Sequence, residues 1–167
     1  MTMKKTINKQ KGFTLIEIIF VLIIVSIMLA VGGLGLVHVV KGMIFTRMNA
    51  ATTQKGQIAM TKLVKEFSNI NISSITAANA TSISFTSTKN DVNSSHTVML
   101  SGSTITFDGD IVTDQVSSFT LNYYDNYDSA AQTTWQSSRR IIEITLKLTG
   151  ADGVKSEFKE RVKPRNL

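Results

Sequence analysis

Hydrophobic residues are concentrated in the first quarter of the chain, and the remainder is mixed. Residues 18–40 contain no Asp, Glu, Lys or Arg, and Ser26 and His38 are their only polar side chains. In a helix these 23 residues would rise about 35 Å, which exceeds the roughly 30 Å hydrocarbon core of a bilayer. The pattern therefore predicts a membrane-spanning helix near the N-terminus.

Helical periodicity continues beyond this apolar run. Apolar side chains recur three and four residues apart, and polar and charged side chains occupy the other positions. The apolar set is Ala59, Met60, Leu63, Phe67 and Ile70. We predict one long helix over residues 13–70 that presents one apolar stripe to a globular domain, and we expect Gly42 and Gly56 to bend it.

After Asn69 the sequence is rich in Ser, Thr and Asn, which is typical of strands and turns. Six strands are predicted: Ser82–Thr86, Thr97–Leu100, Thr104–Phe107, Ser117–Tyr124, Arg140–Leu148 and Val154–Val162. Ser101-Gly102-Ser103 and Asp152-Gly153 are typical of hairpin turns, so the strands should form an antiparallel sheet. The predicted fold class is α+β, a long helix packed on a small antiparallel sheet.

The fifth predicted strand shows how that sheet meets the helix. Aliphatic residues alternate along it with Glu143, Thr145 and Lys147. Because successive side chains of a strand point to opposite faces, one face of the sheet should be buried against the helix.

Charge is unevenly distributed along the chain. The first 12 residues hold four lysines and no acid, so removing them lowers the net charge from +6 to +2. The basic character is therefore largely a property of this leader and does not indicate a nucleic-acid-binding protein. The absence of Cys excludes disulfide scaffolds, thiolate metal sites and thiol nucleophiles.

Two ordinary interpretations compete for the N-terminal segment. The apolar run is longer than that of a secretory signal peptide, and no convincing A-x-A cleavage site ends it, so an uncleaved membrane anchor is favoured over secretion. The lysines predict a cytoplasmic N-terminus, with the chain after Lys41 on the other side of the membrane.

Glu17 is unexplained by a simple anchor, because a carboxylate within a membrane costs about 2.5–3.5 kcal/mol and usually has a partner. No Lys or Arg occurs in residues 18–40. The segment Lys11-Gly12-Phe13-Thr14-Leu15-Ile16-Glu17, between a basic leader and an apolar helix, resembles the N-terminus of type IV pilin precursors. The resemblance to the type IV pilin superfamily covers residues 4–40.

The resemblance implies a role for three residues. Gly12 would be the last leader residue, where a prepilin peptidase cuts, and Phe13 would become the methylated N-terminus. Glu17 would pair with the N-terminal amine of a neighbouring subunit during assembly. An ammonium is also the partner that a carboxylate in a membrane requires.

The same resemblance implies a pilin-like fold with four segments. These are a leader (1–12), a transmembrane and assembly helix (13–40), an amphipathic continuation of the helix (41–70) and a periplasmic β domain (71–167). The implied partners are the peptidase, other pilin or pseudopilin subunits and an inner-membrane assembly platform. We expect the helix to be weakest at residues 32–35, where three glycines occur. Close packing on a partner helix is the other explanation of these glycines.

The C-terminal half of the chain carries a second resemblance. Residues 119–163 combine an aromatic strand ending in Asp125, a loop bearing Trp135 and an apolar strand. This order is similar to that in minor pilins and pseudopilins of the J type or W type. The chain departs from the J type in having Ser138-Arg139 where a proline usually stands. The resemblance implies a minor subunit of a type IV pilus or a type II secretion pseudopilus, which primes assembly or lies at the tip.

Catalytic chemistry is not indicated by the sequence. His96 is the only histidine after the membrane segment, and we expect it to be solvated in a polar loop. We predict no catalytic residue, no metal and no cofactor, which leaves a membrane-anchored enzyme without support. Asp108, Asp110 and Asp114 could offer oxygen ligands to Ca²⁺, but Asp108-Gly109 is more typical of a turn.

The last strand suggests one alternative function. Alternate residues on one of its faces are basic, including Lys159, Arg161 and Lys163, and could contact DNA phosphates. The alternative is a minor pilin with a DNA-uptake or adhesive role. Because aromatic residues are absent from that face, charges that prevent edge-to-edge strand pairing explain the pattern better.

Overall fold

The computed structural model describes residues 12–89 and 92–165. A long helix, α1, runs over Leu15–Ser68, which confirms the predicted long N-terminal helix. The chain divides into two compact units, the first ending at Ile44 and the second beginning at Phe45. Helix α1 contributes to both, and each unit is described by itself.

The first unit is the apolar part of α1. An 18-residue window has a mean hydropathy of 2.9, and the side chains of this window are exposed, so the helix is long and apolar enough to cross a membrane. The helix is continuous through Gly32, Gly33 and Gly35. No atom from elsewhere in the described chain would touch a Cβ added at these three glycines. The expected weakness at residues 32–35 stays a prediction.

In the second unit, one face of α1 is buried. Its buried residues are Thr52, Gly56, Ala59, Met60, Leu63 and Phe67. This stripe confirms the predicted apolar face, and Ile70, which follows the helix, is also buried. The helix ends where the Ser68 carbonyl accepts a hydrogen bond of 3.0 Å from the Arg165 backbone N–H.

Eight strands follow α1 in the described part of the chain. Their bounds are β1 Ala77–Ala78, β2 Ser82–Lys89, β3 Val92–Ser101, β4 Thr104–Phe107, β5 Asp110–Thr113, β6 Val116–Tyr124, β7 Ile141–Thr149 and β8 Lys155–Val162. All six predicted strands are present, although β3 begins five residues before the predicted Thr97. Strands β1 and β5, which are two and four residues long, are additional to the prediction.

The strands form two antiparallel sheets, whereas a single sheet was expected. One sheet has the order β1-β2-β3-β4-β5, and the other has the order β6-β7-β8. The chain leaves the first sheet at Asp114 and Gln115, where Gln115 adopts a left-handed φ of 59°. This reversal ends the run of hairpins, so β6 starts a second sheet.

Helix α1 contacts both sheets. Toward the five-stranded sheet, the Lys55 ammonium lies 2.8 Å from the Asp114 carboxylate. Toward the three-stranded sheet, Gly56 lies against the ring of Phe158, which a Cβ at this position would overlap. Gly56 therefore allows close packing in a helix that continues through it. The expected bend at Gly42 and Gly56 stays a prediction.

The predicted turns are present. Gly102, with a φ of 59°, lies between β3 and β4, whose last and first residues, Ser101 and Thr104, are paired. Asp152 and Gly153 lie in the short 3₁₀ turn Ala151–Gly153 between β7 and β8. Asp108 and Gly109 also form a turn, with φ values of 55° and 94° between β4 and β5. Positive φ at both central residues matches the twist of a tight hairpin.

Candidate functional site

The processing and assembly residues predicted from the sequence lie at the start of α1. Gly12 and Phe13 precede the helix and are exposed, and the preceding leader residues are outside the described part of the chain. Thr14 caps the helix, because its hydroxyl accepts a hydrogen bond of 3.4 Å from the Glu17 backbone N–H. Thr14 and Glu17 thus have the spacing of a capping box.

Glu17 lies in the first turn of α1, where a negative charge is favoured by the helix dipole. Its neighbours are apolar: Glu17 lines a shallow groove of about 240 Å³ with Phe13, Ile18, Val21 and Leu22. Within the described residues, no ion pair to the Glu17 carboxylate is present. The geometry therefore presents a carboxylate on an apolar helix that a cation from another chain could reach.

The basic residues of β8 lie on the outer face of the three-stranded sheet. The Arg161 Nε lies 2.7 Å from the Glu143 carboxylate, and the Lys159 Nζ lies 3.1 Å from it. Lys163 is exposed, and no ion pair is found for it among the described residues. Two of the three candidate nucleic-acid contacts thus share one carboxylate within the protein, and a DNA-binding role for them stays a prediction.

Glu143 is a buried carboxylate that the sequence analysis did not single out. It lies on the face of β7 opposite the aliphatic residues, yet its side chain is only 1% exposed. The Tyr124 hydroxyl donates to its carboxylate at 3.0 Å, and the Asn122 amide donates at 3.3 Å. Strand pairing aligns Asn122, Glu143 and Arg161 across the sheet. An isolated acid in a strand gave no signal of this burial, since the partners come from two other strands.

The electrostatics of this Glu143 cluster follow from its hydrogen bonds. Burial by itself would raise the pKa of Glu143, but the hydrogen bonds from Arg161, Lys159, Asn122 and Tyr124 lower the pKa to about 2. The Arg161 guanidinium also stacks 4.3 Å from the Tyr124 ring centroid and donates to the Tyr127 carbonyl at 3.1 Å. The cluster therefore holds strands β6, β7 and β8 together, along with the start of the loop that follows β6.

His96 is not in a polar loop, as was expected, but within β3. Its Nδ1 lies 2.6 Å from the Asp108 carboxylate, and its ring is 5.0 Å from that of Phe107. The prediction was wrong because the polar run before His96 pairs with β2 as a long hairpin. Burial raises the pKa of Asp108, but the hydrogen bonds from His96 and the Thr97 N–H outweigh this and lower the pKa overall.

The Asp108 turn does not offer the three-carboxylate arrangement considered for Ca²⁺. The Asp108 carboxylate is used by His96 and Thr97, and that of Asp114 is paired with Lys55. Across residues 12–89 and 92–165, no group of three His, Cys, Asp or Glu residues is arranged to hold a metal ion. The favoured alternative, a hairpin turn, is the one found.

Comparison with known proteins identifies the N-terminal segment. A family model described as the prokaryotic N-terminal methylation motif matches residues 7–33. The matched segment contains Gly12, Phe13 and Glu17, so it supports the resemblance to the type IV pilin superfamily. No curated protein matches the chain. No solved structure matches it either. The matched segment ends well before residue 119, so the likeness to J-type or W-type subunits stays a prediction.

Proposed function

We propose that this chain, which carries the N-terminal methylation motif of the type IV pilin superfamily, is a minor pilin or pseudopilin. It would be a structural subunit of a type IV pilus or a type II secretion pseudopilus. The observation that carries the proposal is the position of the motif, at the start of a helix long enough to span a membrane and to reach a β domain. Such a subunit would prime assembly or lie at the filament tip.

Processing would divide the chain as the resemblance implies. The prepilin peptidase would remove the leader (1–12) after Gly12 and methylate Phe13. Residues 13–40 would form the transmembrane and assembly helix, residues 41–70 its amphipathic continuation and residues 71–167 the β domain. The exposure of Gly12 and Phe13 ahead of the helix supports access by a protease, and glycine lets the enzyme approach the backbone closely.

Glu17 would be the assembly residue. Cleavage creates an amine at Phe13, and an ammonium in an apolar environment attracts a carboxylate strongly, because there is little water to screen the charges. The Glu17 carboxylate is exposed on an apolar helix surface. Pairing between the Glu17 carboxylate of one subunit and the Phe13 amine of the next would set their axial register.

The proposed location is the inner membrane before assembly. Lysines in the leader favour a cytoplasmic N-terminus, so the β domain would be periplasmic. The assembly platform and other pilin or pseudopilin subunits would be the partners, and the subunit would then pass into the filament. Its role would depend on binding and geometry, with no turnover of its own.

Glu17→Gln tests the assembly role, because it removes the charge and keeps the shape. Ser26→Ala is the matched control, since Ser26 is a polar residue of the same helix whose hydroxyl donates to the Leu22 carbonyl at 2.7 Å. In the native host, we expect both variants to be cleaved after Gly12. Glu17→Gln should be lost from the sheared filament fraction, whereas Ser26→Ala should remain. Normal incorporation of Glu17→Gln would contradict the assembly role.

Binding of DNA through the basic strand is the second candidate and has weaker support, because Glu143 neutralises part of that face. Its specific support is Lys163, which is exposed at the end of β8. If DNA is bound there, Lys163→Glu should weaken binding of duplex DNA and reduce its salt dependence. DNA binding that Lys163→Glu leaves unchanged, or that does not depend on salt, would exclude Lys163 as a phosphate contact.

A further inference from the structure

A cleft opens between the segment after α1 and the loop that joins β6 to β7. Its volume is about 390 Å³. Ile72, Ser73 and Ile75 form one wall, and Trp135 and Arg140 belong to the other. The cleft thus combines an apolar wall, an indole ring and a guanidinium, and nothing in the pilin-like role uses it.

The wall that carries Trp135 is held in place before any ligand arrives. The Trp135 ring packs edge-on against Tyr123 with centroids 5.5 Å apart, and its backbone N–H donates to the Ala78 carbonyl at 3.4 Å. The loop also forms an isolated β-bridge between Tyr123 and Gln132. Such preorganisation lowers the entropic cost of binding.

Arg139 and Arg140 are adjacent, but of the two only Arg139 is paired with an acidic side chain among the described residues. Arg139 is largely buried, and its Nη1 lies 2.7 Å from the Asp125 carboxylate. Arg140 is exposed, lines the cleft and forms no ion pair with another described residue. No acidic residue lines the cleft within the described chain. The site therefore carries one uncompensated positive charge beside an apolar surface.

We propose that this cleft binds a segment of another protein that carries a carboxylate beside an aromatic or aliphatic side chain. The apolar side chain would pack on Trp135 and Ile75, and the carboxylate would accept hydrogen bonds from the Arg140 guanidinium. Arginine suits this contact because its planar fork can bind a carboxylate through two parallel hydrogen bonds. Binding at this cleft does not depend on the proposed pilin role, so a failed binding test would leave that role unaffected.

Trp135 provides a direct readout, because it is the only tryptophan in the chain. The test titrates the full chain in detergent micelles with the blocked dipeptide acetyl-Phe-Asp-amide and follows Trp135 emission. Acetyl-Phe-Asn-amide is the matched probe without the charge. We expect a saturable change with the Asp probe and binding about tenfold weaker with the Asn probe, the size typical of losing a charge-assisted hydrogen bond.

Two variants locate the contact. Arg140→Met removes the charge and keeps an unbranched side chain, and it should weaken binding of the Asp probe to the level of the Asn probe. Arg165→Met is the control, since Arg165 is also exposed but does not line the cleft. An unchanged emission spectrum of each free variant shows that the cleft wall is still folded.

Three outcomes would overturn the proposal. The first is no saturable change up to the solubility limit of the Asp probe, and the second is equal affinity of the parent chain and Arg140→Met. The third is self-association that Asp128→Asn abolishes. Tyr127-Asp128 is an exposed aromatic–acidic pair of this same chain, so that result would make a second copy the occupant in place of another protein.

Discussion

Replacing Glu143 by Gln removes the charge at the centre of the Glu143 cluster and keeps the size of the side chain. The carboxylate is bound by the Arg161 guanidinium at 2.7 Å, the Lys159 ammonium at 3.1 Å and the Tyr124 hydroxyl at 3.0 Å. A glutamine can still accept from Tyr124, but it carries no negative charge to pair with the two cations. We therefore expect Glu143→Gln to fold and to be less stable.

The magnitude follows from the pKa of Glu143. A pKa lowered from 4.5 to about 2 corresponds to about 3 kcal/mol, because one pH unit is worth about 1.4 kcal/mol. The Arg161 and Lys159 side chains are 35% and 55% exposed, so solvent screens part of this interaction. We expect Glu143→Gln to lower the free energy of unfolding at neutral pH by about 2 kcal/mol.

The pH dependence has a definite sign. A carboxyl whose pKa is lowered in the folded state stabilises the protein fully above its unfolded value of about 4.5, and this contribution is lost as the pH falls toward about 2. The difference in stability between the parent chain and Glu143→Gln should therefore be constant near neutral pH. It should shrink steadily below about pH 4.5.

Urea unfolding of the full chain in detergent micelles, followed by Trp135 emission, measures this difference. Trp135 reports on the relevant region, since its ring packs on Tyr123 of β6. Glu157→Gln is the matched control: Glu157 lies on the same face and pairs with Lys147 at 3.1 Å, but its side chain is 51% exposed. The control should lose less than about 0.5 kcal/mol. Equal losses for the two variants, or a Glu143→Gln difference that does not change with pH, would refute the reasoning.

Three further predictions concern packing and the Asp108 turn, and the same unfolding assay checks each. Gly56→Ala should cost about 1–2 kcal/mol because its Cβ overlaps the Phe158 ring, and Phe158→Leu should relieve the loss in the double variant; an additive double variant would argue against the overlap. Phe67→Ala should cost about 3–5 kcal/mol, since Phe67 is fully buried; a loss below about 1 kcal/mol would contradict its place in the core. Asp108→Ala should be less stable than Asp108→Asn, because Asn can still accept from the Thr97 N–H, 2.7 Å away in the parent chain, and tolerates the left-handed φ of 55° better than Ala; equal stability would contradict both contributions.

Much of the fold could be predicted because its signals are local. The membrane-length helix follows from an uninterrupted apolar run, and the buried stripe of α1 follows from residues such as Leu63 and Phe67 at helical spacing. Strand β7 follows from strict alternation of aliphatic and polar residues. These patterns depend on neighbours within a few residues, so the sequence displays them directly.

The remainder depends on contacts between distant segments. The division into two sheets depends on the chain reversal at Gln115, which has a left-handed φ. Glutamine rarely adopts this conformation, so the sequence does not predict it. The burial of Glu143 depends on Tyr124 and Arg161, which reach it from the two flanking strands. The pairing of His96 with Asp108 likewise requires the register of β3 and β4. Periodicity cannot reveal such partners.

The candidate functional residues likewise include some that the sequence predicts and others that only the fold brings together. The roles of Gly12, Phe13 and Glu17 are predicted from one contiguous segment, which lies within the matched methylation motif. The Trp135 cleft could not be found in this way, because its walls come from residues 72–75 and 135–140 and meet only in the folded domain.

The mature N-terminus tests the central proposal most directly. Intact-mass measurement and N-terminal sequencing would be applied to the membrane-extracted protein from its host, with and without prepilin peptidase. We expect a chain that begins at methylated Phe13 when the peptidase is present and an unprocessed chain when it is absent. A chain that still begins at Met1 in both strains would contradict processing after Gly12 and, with it, the proposed role as a pilin-like subunit.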